Sequence, residues 1–395
     1  MSRYRRCSIA LLRLAVLVVP DAGRAEPFVP DSDALVLERM PAAGDDLTRQ
    51  LRDRRAALAR NPDDLELALS LAAGYVRLGR READPRYDGY AQAALAPWWN
   101  LAAPPIPVLL LRATLAQRRH DFAGALADLE RVLAQAPRHP QAWLAKATIL
   151  GVQGEPARAL ASCARLAGTV EPLVEAACAA GAYGSGGRAR AGYRLLQEAL
   201  SRGPGVAPEI RVWALTILAE LAAQWADAAA AERHFRAALA LGLRDPYLLG
   251  AYADFLLDED RPAEALELLA GETRIDPLLL RLSLAEQRLG AQGLEEHVAM
   301  LQARFDAARR RGDSVHLREE ARFTLELLER PARAVDLARA NWTSQRELAD
   351  ARILLEAALA AGDPAAGRPV LDWLEWTGLD HVRIRALADQ LKGAA

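Results

Sequence analysis

The sequence predicts an all-α protein built as an α-solenoid of helical hairpins. One reason is an internal repeat: GEPARAL at 154–160 returns as DRPAEAL at 260–266 and as ERPARAV at 329–335. The other is composition. The chain is 52% hydrophobic but only 6% aromatic, and its apolar content is largely Ala and Leu. These two residues are strong helix formers, whereas the β-branched and aromatic residues that fill sheets are sparse.

The repeat has a period of about 34 residues, which is typical of solenoids. The three prolines of the quoted segments, Pro156, Pro262 and Pro331, are 106 and 69 residues apart, close to three and two periods. Two series of small residues recur with the same spacing. The first is Ala125, Ala159, Gly192, Ala231, Ala265, Ala299, Ala334 and Gly367, and the second, twelve residues earlier, is Ala113, Ala147, Ala180, Ala219 and Ala253, followed by Gln287 and Arg322.

Close helix packing explains both the small residues and the prolines. Two antiparallel helices approach to about 8–10 Å only where small side chains lie at the crossing. Proline suits the first position of a helix, where its missing N–H has no partner and its φ is already helical. We therefore expect each period to form two helices, with the proline opening the second.

The unit resembles the tetratricopeptide repeat, in which a Leu-small pair, an aromatic residue and a proline occupy fixed positions of 34 residues. The matching residues are Trp143, Ala147, Leu150 and Ala159 within 140–173, Leu71, Ala72, Tyr75 and Gly79 within 65–80, and Pro62 and Pro137. The resemblance covers 61–378 and implies about nine repeats. A solenoid needs capped ends, so we expect an extended segment and a capping helix in 26–60 and a second capping helix in 379–395.

The N-terminus predicts a signal peptide. Three arginines between positions 3 and 6 precede an apolar run at 7–19, and small residues follow up to Ala25. This order is typical of an export signal, and it predicts removal of 1–25 and a periplasmic or secreted protein. The run is too short to span a bilayer, so no transmembrane segment is expected in the mature chain. Arg13 interrupts the run, which leaves a cytoplasmic protein as the alternative.

Cysteine usage agrees with export. Loss of the leader removes Cys7 and leaves Cys163 and Cys178, which the repeat places on the second helix of one hairpin and the first helix of the next. An oxidising compartment allows such a pair to form a disulfide. The alternative is two buried free thiols.

No signature of catalysis is present. Residues 184–189, GSGGRA, fit a dinucleotide-binding pattern, but a helical stretch precedes them where that fold requires a strand. The six histidines lack metal-ligand spacing. The net charge of −2 gives no general electrostatic reason to bind nucleic acid. We expect no enzyme activity, cofactor, metal or nucleic-acid partner.

The resemblance implies a protein or peptide partner on the concave face. The positions that hold a carboxylate-binding clamp in some tetratricopeptide proteins carry small or apolar residues here, including Leu144 and Thr148, and the stretch continues to Trp213. We therefore name Leu144, Thr148 and Trp213 as candidate partner-binding residues. A shift of one residue in the register would make them core instead.

The first repeat is a second candidate. After Gly79 about five extra residues precede the helix, which we expect to resume near Tyr90. Inserted loops often bind partners. This one supplies Arg86, Tyr87 and Asp88, with Trp98 and Trp99 a helix length away, and these five residues complete the candidate site. The alternative is an end cap in which they only seal the first hairpin.

Taken with the leader, these patterns predict a non-catalytic interaction scaffold that is exported to a bacterial cell envelope. Two alternatives remain open at this point. One is an accessory or catalytic helical superstructure protein of cell-wall metabolism, and the other is a cytosolic regulatory adaptor.

Overall fold

The computed structural model describes residues 46–394 except positions 83, 204 and 314, so the predicted signal peptide lies outside the described residues. The described residues are 77% helical and include no strand. No helix in that part is long and apolar enough to cross a membrane. The predicted all-α solenoid of hairpins is confirmed.

Within the part of the chain that the structure describes, nine hairpins follow one another between two single helices. The single helices are α1 (Asp46–Arg60) and α21 (Val382–Gly393). Hairpins 1 to 9 are α2 (Leu65–Glu82) with α3 (Arg86–Ala94) and the short α4 (Ala96–Trp99), α5 (Ile106–Arg118) with α6 (Phe122–Gln135), α7 (Pro140–Val152) with α8 (Pro156–Cys163), α9 (Pro172–Ser185) with α10 (Ala189–Arg202), α11 (Pro208–Gln224) with α12 (Ala228–Leu239), α13 (Pro246–Asp258) with α14 (Pro262–Leu268), α15 (Asp276–Leu289) with α16 (Leu294–Arg310), α17 (Leu317–Glu326) with α18 (Pro331–Trp342), and α19 (Leu348–Ala361) with α20 (Arg368–Thr377).

The repeated proline segments form the turns inside hairpins 3, 6 and 8. Pro156, Pro262 and Pro331 each occupy the first position of the second helix, as the sequence predicts. Two residues before each proline the backbone is left-handed, with φ of 76°, 55° and 53° at positions 154, 260 and 329. Only the first of these is glycine, so the other two turns hold a residue that prefers another conformation.

The small residues lie mostly at helix crossings. A Cβ atom on Gly192 would lie 2.9 Å from the carbonyl oxygen of Ala180, so these members of the two series mark the close approach of α9 and α10. Ala299 is an exception, because it is exposed, and its assignment to the series was wrong. The helix that contains it, α16, buries Leu301 and Phe305 instead.

The first helices of the hairpins form the inner layer of the array. Each packs against the first helix of the next hairpin along the whole series from α2 to α19, whereas consecutive second helices make slight contact at most. Helices that crowd together lie on the concave side of a solenoid, and helices that splay apart lie on the convex side. The side chains that the first helices leave uncovered therefore form the inner face.

Distant hairpins also touch. Arg346, between hairpins 8 and 9, donates its backbone N–H to the carbonyl of Val152 at the end of α7, over 2.8 Å. The indole Nε1 of Trp373 in hairpin 9 donates to the carbonyl of Gly154 over 3.1 Å. A Cβ on Gly187 would lie 2.1 Å from the carbonyl oxygen of Gly378. The array thus winds until hairpins 3 and 4 meet its C-terminal end, which encloses the inner face.

Candidate functional site

The first hairpin does not contain the projecting loop that the sequence suggests. Helix α2 continues to Glu82, and α3 begins at Arg86 instead of near Tyr90. The extra residues therefore lengthen the first helix and leave a short connection to α3. The prediction that the insert after Gly79 forms a projecting loop was therefore wrong.

Two of the candidate residues in this hairpin form ion pairs within the protein. Asp88 is buried and accepts a hydrogen bond from the Nε of Arg118 on α5 over 2.8 Å. Arg86 lies on the surface, and its Nη2 pairs with the carboxylate of Asp84 over 2.7 Å. The first pair ties hairpin 1 to hairpin 2.

The aromatic candidates pack against the core of hairpin 1. The ring centroid of Tyr87 lies 6.2 Å from that of Tyr75. Trp98 and Trp99 are half-buried against the same core. The guanidinium of Arg112 lies 5.9 Å from the ring centroid of Trp99 and donates to its carbonyl oxygen over 2.5 Å. These contacts are those of an end cap.

The candidate residues of the middle hairpins lie on the inner layer. Leu144 on α7 and Trp213 on α11 are half-buried against one small apolar cluster. Thr148, one turn after Leu144, is exposed, and its hydroxyl donates to the Leu144 carbonyl over 3.0 Å. The inner face of hairpins 3 to 5 therefore presents partly covered apolar side chains, which we call the apolar stretch, defined by Leu144, Thr148 and Trp213.

A disulfide lies behind the apolar stretch. It joins Cys163 at the end of α8 to Cys178 on α9, with Cα atoms 5.6 Å apart. Both residues belong to the cluster that covers Leu144 and Trp213. The bridge therefore links hairpins 3 and 4 directly beneath the inner surface.

The inner face of hairpins 6 to 9 is charged and largely paired. Asp254 on α13 accepts from Arg281 of the next hairpin over 2.6 Å and from Arg322 of the hairpin after that, also over 2.6 Å. Burial alone would raise the pKa of Asp254, but the two guanidiniums outweigh it and hold the pKa well below its usual range. One carboxylate thus joins three first helices.

Further ion pairs continue this charged stretch, which we define by Asp254, Asp258, Arg318, Arg322 and Arg352. Arg352 on α19 donates to Asp258 on α13 over 2.8 Å. Arg318 on α17 donates to Glu347 and to Asp350 over 3.0 and 3.4 Å. Burial raises the pKa of Asp350 to about 6. The charged stretch is therefore held together by the protein's own side chains.

Glu220 and Tyr247 lie where the two stretches meet. The hydroxyl of Tyr247 on α13 donates to Glu220 on α11 over 2.6 Å. Burial raises the pKa of Glu220 to about 7, and the negative charges of Glu347 and Asp254 add to the rise. The charge of Glu220 in turn raises the pKa of Tyr247 well above its ordinary value.

The residue Tyr247 is nevertheless 65% exposed. The array closes where hairpin 3 meets its C-terminal end, through the Arg346–Val152 and Trp373–Gly154 hydrogen bonds. The apolar and charged stretches therefore face one enclosed space.

The inner face offers recognition chemistry. Exposed Tyr and half-buried Trp side chains contribute large contact areas at protein interfaces. Among the described residues, no group of three or more His, Cys, Asp or Glu side chains is arranged to hold a metal ion.

The chain is similar to several solved helical-repeat structures. No protein-family model matches it, and no curated protein matches it. A tetratricopeptide repeat protein from Parabacteroides merdae is 16% identical, over 60% of this chain and 93% of that one, with a TM-score of 0.44. The Cut9–Hcn1 tetramer of the APC/C is 13% identical over 87% and 73%, with a TM-score of 0.47. Yeast Tom70 is 13% identical over 88% and 92%, with a TM-score of 0.31.

These TM-scores are all below 0.5, so the assignment of the fold rests on the nine hairpins of the described residues. The inner face carries partly covered apolar side chains in hairpins 3 and 5 and internally paired charges in hairpins 6 to 9.

Proposed function

We propose that this protein is a non-catalytic scaffold of a bacterial cell envelope that holds a segment of a partner protein on its inner face. The observation that carries the proposal is the exposure of Tyr247, which is 65% although the residue lies on the inner layer. Large apolar side chains left accessible on a concave surface are typical of partner sites.

The apolar stretch is the part of this face that is open to a partner. A partner segment that covers Leu144, Thr148 and Trp213 would exclude water from surface that the protein leaves half-covered. The charged stretch is a poorer candidate, because its carboxylates already accept hydrogen bonds from its own arginines. We place the partner over hairpins 3 to 5, with Tyr247 at the edge of the contact.

Export is the second part of the proposal. It rests on the basic and apolar order of the first 25 residues and draws support from the Cys163–Cys178 disulfide, since such bridges persist in oxidising compartments. Mass spectrometry of the chain recovered from the envelope tests it directly. We expect an N-terminus at Glu26, and an intact leader on that protein would refute export.

Co-purification tests the binding surface. The full-length tagged chain is recovered from its native compartment with Tyr247→Ala, with Leu144→Ala, or with Leu195→Ala as the matched control, because Leu195 is an exposed leucine on the outer helix α10. We expect the partner to be lost from the first two variants and retained by the third. Equal recovery in all three, with circular dichroism showing folded protein, would place the partner elsewhere.

A further inference from the structure

A second groove lies at the N-terminal end of the array, away from the apolar stretch. It is an open cavity of about 380 Å³ between α1 on one side and α3 and α4 on the other, with α2 as its floor. Pockets that hold small ligands or a few side chains have volumes of roughly 300–1,000 Å³. We call it the α1 groove and define it by Arg55, Leu58, Tyr75, Tyr90 and Pro97.

The floor and one wall of the α1 groove are aromatic. Tyr75 on α2 is buried, and its ring centroid lies 5.6 Å from that of Tyr90 on α3. Tyr87 contacts both rings from behind, with centroids 6.2 and 5.9 Å away. Tyr90 remains 46% exposed. The three rings fix one another, so the exposed face of Tyr90 is held ready for a ligand with little loss of rotamer freedom.

The rest of the lining is apolar except for one residue. Leu58, Ala59, Leu71, Ala93 and Ala94 contribute aliphatic surface, and Pro62 and Pro97 add rigid backbone. Arg55 is the charged member of the lining. Its side chain is exposed, and no carboxylate in the described part of the chain pairs with it. The hydroxyls of Tyr75 and Tyr90 form no hydrogen bond with the described residues.

The surroundings of Arg55 reinforce its charge. Helix α1 carries five arginines against two aspartates in fifteen residues. The nearby turn into α2 carries Asp63 and Asp64, but the second of these caps α2 by accepting from the Leu67 N–H over 2.9 Å. The wall that α1 contributes is therefore cationic, and an apolar ligand that also carries a carboxylate complements it. Lysine or arginine on the ligand would be repelled by the same helix.

We propose that the α1 groove binds a short apolar segment of a partner protein that carries an acidic side chain. Apolar or aromatic side chains of the segment lie on Tyr90 and Leu58, and the carboxylate pairs with Arg55. The two tyrosine hydroxyls can donate to the same carboxylate. Guanidinium and phenol groups together favour a carboxylate because both donate and neither carries negative charge.

This site is independent of the inner face. Its lining comes from α1 to α4, whereas the apolar stretch belongs to hairpins 3 to 5. It also differs from the first-hairpin residues that the sequence suggested. Asp88, Trp98 and Trp99 hold the hairpin together, and Tyr87 supports the groove from behind.

A phage-displayed library of random dodecapeptides selected on the full chain tests the proposal. We expect enriched peptides to combine aromatic or aliphatic residues with Asp or Glu. A synthetic copy of the best peptide should lose affinity about fivefold to tenfold on Arg55→Ala, the cost of one hydrogen bond at a solvent-exposed site. Tyr90→Ala should cost a similar factor. Arg52→Ala, on an exposed position of the same helix that does not line the groove, should change affinity less than twofold.

Charge reversal separates recognition from folding. Selection on Arg55→Glu should enrich peptides with Lys or Arg in place of Asp or Glu. A merely structural role for Arg55 would not invert the preference. Tyr247→Ala on the inner face should leave peptide binding intact, so failure of one site is distinguishable from failure of the other. Enrichment of basic peptides on the unmodified chain, no enrichment, or affinity unchanged by Arg55→Ala and Tyr90→Ala would each overturn the proposal.

Discussion

The inner faces of the two parts of the array differ although the hairpins that build them are alike. Hairpins 3 to 5 place small and apolar side chains there, and a disulfide joins hairpins 3 and 4. Hairpins 6 to 9 place carboxylates and guanidiniums there, and these pair across as many as three hairpins. A repeat therefore fixes the backbone and leaves the inner surface free to serve either cohesion or recognition.

The largest effect should come from removing the covalent link. Replacing both Cys163 and Cys178 by Ala opens a loop with a sequence separation of 15. Cross-links over loops of about 15 residues contribute about 3 kcal/mol to the free energy of unfolding. Urea unfolding of the oxidised protein measures the loss. Dithiothreitol should lower the midpoint of the unmodified protein by the same amount and leave the double variant unchanged. If neither the double substitution nor dithiothreitol lowers the urea midpoint, the disulfide does not stabilise the fold.

Breaking the charged stretch should cost slightly less. Asp254→Ala leaves Arg281 and Arg322, both mostly buried, without their shared acceptor. We expect the free energy of unfolding to fall by about 2–3 kcal/mol, because charged hydrogen bonds are lost and two guanidiniums remain desolvated.

The matched control for this change is Asp372→Ala. Its partner Arg368 and Asp372 itself are both largely exposed, and exposed pairs contribute about 0–1 kcal/mol. Equal losses for the two variants in urea unfolding would show that the charged stretch does not hold hairpins 6 to 8 together.

The boundary between the stretches should respond to pH. The folded-state pKa of Glu220 is raised from 4.5 to about 7, so the unfolded chain releases this proton first as pH rises. The ionised carboxylate of Glu220 therefore lowers the free energy of unfolding. This loss is absent below pH 4.5 and grows up to about pH 7. Glu220→Gln keeps an acceptor for Tyr247 and removes the charge.

We expect the free energy of unfolding of this variant to be within about 0.5 kcal/mol of that of the unmodified protein at pH 4.5 and to exceed it by about 1–2 kcal/mol at pH 7.5. This is less than the roughly 3 kcal/mol that the full shift gives, because Glu220 is only partly buried. Thermal unfolding at several pH values measures the difference. Glu209→Gln, at the exposed start of the same helix, is the control and should show no such trend. A stability difference between the two proteins that shrinks as pH rises would contradict this prediction.

The smallest effect concerns a turn next to this boundary. Ala226, between α11 and α12, has a φ of 62°. A left-handed backbone at alanine costs roughly 1–2 kcal/mol of stability. Glycine avoids this cost, but its greater conformational freedom in the unfolded chain offsets part of the gain. Ala226→Gly should therefore raise the free energy of unfolding by about 0.5 kcal/mol, whereas Ala223→Gly inside α11 should lower it by about 1 kcal/mol. Loss of stability in both variants would rule out strain at the turn.

The sequence predicts the hairpins well because the period constrains every unit in the same way. Pro156, Pro262 and Pro331 begin their helices because proline fits that position wherever it occurs. The charged stretch escaped prediction because its partners lie one to three repeats apart, a distance that no local pattern encodes. One signal was present: Arg322 interrupts the series of small residues, and the structure pairs it with Asp254.

The first hairpin shows the opposite difficulty. The sequence drew attention to its Tyr, Trp and Arg residues, and that composition is equally typical of a binding site and of an end cap. Their burial decides how they are used. Asp88 is 7% exposed and Tyr90 is 46% exposed, and exposure of individual residues within one short helix cannot be derived from composition.

Site-specific photocrosslinking in the native compartment tests the central claim, that the inner face of hairpins 3 to 5 holds the partner. A benzophenone side chain is placed at Thr148 or Tyr247 on the inner layer, and at Leu195 or Ala237 on the outer helices α10 and α12. The account predicts an adduct of the same mass from both inner positions and none from the outer pair. Adducts from Leu195 or Ala237, with none from Thr148 and Tyr247, would contradict it.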